Sequence, residues 1–68
     1  MNEQIKKSIN VVGSQSHLAR LCGVSQGAVG KWLNGGEYSA KYAWRIEQTT
    51  QGKVTAVELY RALDDLDK

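Results

Sequence analysis

Residues 15–34 read Gln15-Ser16-His17-Leu18-Ala19-Arg20-Leu21-Cys22-Gly23-Val24-Ser25-Gln26-Gly27-Ala28-Val29-Gly30-Lys31-Trp32-Leu33-Asn34. Counted from Gln15, the stretch meets the steric demands of two helices packed steeply across a tight turn. The fifth position must be small because a second helix crosses over it, and it is Ala19. The ninth leaves the right-handed helical region, where glycine costs least, and it is Gly23. The fourth, eighth, tenth, fifteenth and eighteenth must be apolar to fill the space between the helices. They are Leu18, Cys22, Val24, Val29 and Trp32, and no proline interrupts either helix. Agreement at all of these positions together predicts a helix-turn-helix.

In that geometry the outward residues at the start of the motif's second helix reach base edges in a DNA major groove. They are Ser25, Gln26, Gly27, Gly30 and Lys31. The Gln26 amide matches adenine N6 and N7, and the Lys31 ammonium can donate to guanine O6 and N7. Two glycines within one helix cost about 1 kcal/mol each relative to alanine. Close approach of that helix backbone to the groove wall, or to thymine methyls, is the expected compensation. Gln15 and Ser16, at the start of the first helix of the motif, are expected to hold a phosphate. Asn34 and Lys41 are expected on the flanking DNA backbone.

Outward from the motif, the pattern stays helical. Ile5, Ile9 and Val12 share one face of an opening helix that Gly13 ends, and Ser14 is placed to cap the next. Leu18, Ala19, Leu21 and Cys22 give the first motif helix its apolar face, and Ser25 caps the second, which runs to about Asn34. Residues 35–38 read as a loop. Ser39 opens a fourth helix to about Thr50, with Ala43, Ile46 and Thr50 on one face. Thr55 and Glu58 fit a capping box, and Leu59, Leu63 and Leu66 stripe a last helix at about 55–66. The expectation is an all-α fold of five short helices forming one helix-turn-helix domain over residues 1–68.

A chain of 68 residues buries only about 60% of the surface its unfolded form exposes, which leaves little room for a catalytic cleft. Paired carboxylates, a phosphate loop and a Cys–His arrangement are all missing, so the chain is not read as an enzyme. The lone Cys22 cannot form an internal disulfide, and no ligand cluster suggests a metal or cofactor. No apolar run approaches the ~20 residues of a membrane span, and the start is unlike a signal peptide, so a cytoplasmic protein is expected. Formal net charge is +2. The acidic end, with Asp64, Asp65 and Asp67, conceals a basic body: residues 1–61 hold eight basic and four acidic side chains, a net +4. That asymmetry fits a polyanion binder whose acidic end faces away from its ligand. His17, Arg45 and Glu47 read as surface residues and Trp32 as core. Trp44 lies off the face of Ala43 and Ile46 and is a possible dimer contact.

With these residues in view, the chain resembles the small Cro-like repressors of temperate phages and the related YdaS-type antitoxins of prophages. The resemblance covers residues 13–59: Gly13-Ser14-Gln15, Leu18-Ala19, Gly23-Val24-Ser25, Val29 with Trp32, then Ala43, Ile46-Glu47, Thr50, Gly52-Lys53-Val54 and Glu58-Leu59. Residues 26–34 also look like the recognition helix of lambda-type repressors. Relatives often carry proline just before the fourth helix, where this chain has Tyr38-Ser39, and Arg-Pro where it has Tyr60-Arg61. The resemblance implies a repressor that binds palindromic operators as a homodimer assembled on double-stranded DNA, weak or monomeric when free. It also implies base contacts by Gln26, Gly27 and Lys31, and phosphate contacts by Gln15 and Asn34. The alternative is an antitoxin or protein-interaction module, for which Trp44 with Tyr38 and Tyr42 would form the surface.

Overall fold

The computed structural model describes residues 1–66, so Asp67 and Lys68 of the acidic end lie outside the described residues. The elements are α1 (Glu3–Val12), α2 (Gln15–Cys22), α3 (Gln26–Leu33), α4 (Ala40–Thr49) and α5 (Ala56–Leu66). The described chain is all-helical, as the periodicity predicts. No described helix is long and apolar enough to cross a membrane.

Each early boundary has a side-chain or backbone cause. The Asn2 carboxamide oxygen accepts the Gln4 and Ile5 N–H groups at 3.0 and 3.1 Å, starting α1. Ser14 Oγ accepts the His17 N–H at 3.0 Å, and Ser25 Oγ accepts that of Ala28 at 3.1 Å, as expected of both serines. Gly23 takes φ +73° between α2 and α3, a left-handed turn that a side chain would strain. Ser39, by contrast, precedes α4 without a side-chain cap bond.

The core forms where these helices meet. Leu18, Ala19, Cys22, Val29 and Trp32 of the motif are buried together with Ile5, Ala43, Ile46, Val54 and Leu59. Leu21 is a correction: expected on the apolar face of α2, it is 43% exposed. Leu18, Ala19 and Cys22 make up the buried stripe of α2, and Leu21 lies beyond its edge. Leu66 is likewise exposed, so the leucine stripe of α5 is buried only at Leu59 and partly at Leu63.

Tyr38 was read as loop, and it is a core residue. Its ring meets Trp32 edge-on, with centroids 6.0 Å apart. Its hydroxyl donates to the Leu59 carbonyl, and burial pushes the phenol above its ordinary value. The same oxygen accepts from Asn2 Nδ2 at 3.0 Å, while the Asn2 N–H donates to the Leu33 carbonyl at 2.7 Å. One buried cluster thereby ties the start of α1, the end of α3 and the middle of α5.

Glu47 was expected as a surface charge and instead caps α5, its Oε1 accepting the Ala56 N–H at 2.8 Å. The predicted capping box is present beside it. Thr55 donates its N–H to Glu58 Oε1 at 3.0 Å, and Thr55 Oγ1 accepts the Glu58 N–H at 3.2 Å. The Thr55 backbone and hydroxyl bonds hold the Glu58 carboxyl below its ordinary value. A lowered folded-state value means that the stabilisation is present above the unfolded carboxylate range and is lost as pH falls through the folded value. Glu58→Gln is therefore expected to melt lower than the parent at neutral pH. The gap should narrow as pH falls below the ordinary glutamate range and close once Glu58 is protonated in the folded protein as well. A gap that stays constant in thermal melts across that range contradicts this cap.

The close of α5 lies near the loop after α3: Leu66 Cδ1 comes within 3.9 Å of where a Cβ on Gly35 would stand. Asp64 and Asp65 are exposed on this last part of α5.

Candidate nucleic-acid interface

The inward face of α3 is anchored and its outward face is open. Val29 and Trp32 are buried, and the Trp32 ring also packs on Tyr42 at 5.5 Å between centroids. Gln26, Gly27 and Lys31 lie on the exposed side, with Ser25 just ahead of them. The Gln26 side chain makes no hydrogen bond among the described residues, so its amide donors and acceptor are free. Ser25 uses a lone pair on Ala28 N–H and keeps its hydroxyl proton available.

The second expected glycine stands differently from the first. Gly30 is half-buried, and a Cβ there would lie 3.2 Å from Gln15 Nε2. That same Nε2 donates to the Gln26 carbonyl at 3.2 Å. Gln15 thus bridges from the first turn of α2 onto α3, seated over the bare backbone of Gly30. A side chain on Gly30 would crowd the Gln15 amide, which would have to shift by a few tenths of an ångström. At Gly27 a Cβ would meet nothing nearer than Ser25 Oγ at 3.8 Å.

The flanking positions are accessible. Ser16 is exposed beside half-buried Gln15, and Asn34 is exposed as the C-cap residue of α3. Lys41 is exposed in the first turn of α4, with its ammonium 5.5 Å from the Tyr42 ring centroid. A cation there opposes the helix dipole. It stands beside the first-turn N–H groups of α4, which the Ser39 side chain leaves uncapped.

Two residues that hold this surface in place escaped the sequence reading. Gly36 donates its N–H to the Lys31 carbonyl at 2.7 Å, and a Cβ on it would stand only 2.8 Å from that oxygen. The tight turn swings the chain back so that Tyr38 enters the core. Arg45, expected as a surface charge, sends Nη1 to the Cys22 carbonyl at 3.0 Å and so closes the C-terminal end of α2. No sequence signal marks this bond, because its partners are far apart along the chain. Trp44 is 58% exposed on α4, off the buried face.

Comparison with known proteins adds the following. Residues 5–65 match the family model described as "Bacterial toxin YdaS". The chain is 39% identical over 64 residues, 93% of its length, to a protein of Escherichia coli (strain K12) named "Putative transcriptional regulator YdaS". It spans 65% of the length of that relative. No solved structure matches.

Proposed function

We propose, from the premise that this chain belongs to the YdaS family, that it is a transcriptional regulator acting through sequence-specific binding of duplex DNA. The observation that carries the reading is the division of α3. Val29 and Trp32 lock one side into the core, and the other side offers Gln26, Gly27 and Lys31 with an uncommitted amide. Such a helix can enter a major groove. Ser25, Gln26, Gly27 and Lys31 read base edges, while Gly30, expected among them, instead seats the Gln15 amide. Gln15, Ser16, Asn34 and Lys41 hold the flanking phosphates, which position the helix without carrying sequence information.

Two protomers would place their α3 helices in successive major grooves about 10 base pairs apart, on an imperfect palindrome. Repression of Cro type follows by occlusion of an overlapping promoter. With about four phosphates neutralised per protomer, the log–log dependence of affinity on salt has a slope near −7 for the dimer.

Selection from a random duplex pool tests this reading, because it returns the half-site and spacing together. Gln26→Ala is then expected to lose about 1–3 kcal/mol of affinity and to relax preference at one base pair. Lys41→Ala should instead weaken all sequences and flatten the salt slope. Binding unchanged in both variants would rule out this docking orientation. A second reading, a protein-binding module, is favoured by the family's description as a bacterial toxin and by the exposed Trp44; of the other two residues expected on that surface, Tyr38 is buried and Tyr42 half-buried. It predicts that the pool returns no enriched sequence.

A further inference from the structure

The two glycines of α3 call for different explanations, and the difference points outward. Glycine within a helix is destabilising and persists where something needs the missing side chain. Gln15 Nε2 supplies that need at Gly30, 3.2 Å from a would-be Cβ. Nothing in the protein supplies it at Gly27, whose φ is not positive and whose would-be Cβ has only Ser25 Oγ at 3.8 Å. Its own fold accepts alanine there.

The space at this position is open on the exposed side of α3, with Ser25 Oγ as the one neighbour within 4 Å, and it lies next to the exposed Gln26. A side-chain amide that pairs with adenine reads one base pair, and the base edge next to it in the major groove can present a thymine C5-methyl. Among major-groove edges this methyl is the apolar feature, and it fits a bare α-carbon where a donor or acceptor does not.

We infer that Gly27 is a specificity-determining residue, a notch on α3 that admits one thymine methyl of the bound duplex. This rests on the DNA-binding reading above and names the base class that the position selects.

The test uses the full chain and a duplex selected from a random pool. Each thymine in turn is replaced by deoxyuridine, which removes only the methyl. The parent protein should bind one such duplex several-fold more weakly, since an apolar contact is lost. Gly27→Ala should melt no lower than the parent. It should bind the thymine duplex at least tenfold more weakly and recover most of that loss on the matching uracil duplex, where its own methyl takes the vacated space. If Gly27→Ala binds both duplexes as the parent does, or loses the same factor on both, the notch is refuted while DNA binding stands. If the parent enriches no sequence from the pool, the DNA-binding reading itself fails. The uracil scan of the parent decides the matter even if the variant proves unstable.

Discussion

Tyr38→Ala is expected to unfold most of the population at ambient temperature. Truncating a buried aromatic residue costs about 3–5 kcal/mol. A chain of this size has only a few kcal/mol in all. Tyr38 is 7% exposed, and its ring fills the space beside Trp32. Its hydroxyl joins Asn2 Nδ2 to the Leu59 carbonyl. Tyr38→Phe separates these contributions. It keeps the ring on Trp32, takes one of the two bonds from the Leu59 carbonyl and leaves the Asn2 amide buried without its partner, at about 1–3 kcal/mol. Asn2→Ala removes the same bond from the other side, together with the cap of α1. The double variant should therefore cost less than the sum of the two single ones. Denaturant titration of the four proteins measures this. A Tyr38→Phe protein as stable as the parent would show that the cluster contributes nothing.

Ala19→Leu carries the second large effect. Ala19 is 3% exposed in the crossing of α2 with α3, and its carbonyl accepts the Val24 N–H at 3.0 Å across the turn. Added carbons have nowhere to go except into the facing helix. Overpacking of this kind costs about 1–3 kcal/mol, and more where the backbone must move. Because α2 would be pushed off α3, Gln15 should also lose its seat over Gly30. Affinity for a selected duplex should then fall by more than the loss of folded protein accounts for. Leu21→Ala, two positions away and 43% exposed, is the control and should stay within about 0.5 kcal/mol of the parent. Equal stability losses in the two variants would contradict the crossing described here.

The contrast between Ala19 and Leu21 also shows how far the sequence could be read. Position-specific demands of the motif placed Leu18, Ala19, Cys22, Val24, Val29 and Trp32 in the core; all are buried except Val24, which is half-buried against it. Simple apolar character placed Leu21 there as well, and that reading failed. Spacing reports which residues share a helix face, but only the neighbours decide how wide the buried stripe is. The outward disposition of Gln26 and Lys31 was legible for the same steric reason as the core. The distinction between Gly27 and Gly30 was not, because it depends on where the Gln15 amide comes to rest.

Local chemistry was largely settled by the chain alone, although Ser39, expected to cap α4, makes no side-chain cap bond. Ser14, Ser25 and the Thr55–Glu58 box cap helices a few residues away, where the partners are held close whatever the rest of the protein does. Gly23 marks its turn for an equally local reason. What only the tertiary structure decided was every contact between residues far apart in sequence. Tyr38 left its loop for the core, Glu47 became the cap of another helix, and Arg45 closed α2 across 23 positions. Each of these polar or aromatic groups has an acceptable solvent-exposed alternative, so composition and periodicity do not choose for them. Their places are set by which buried carbonyl or N–H is left without a partner once the helices have packed.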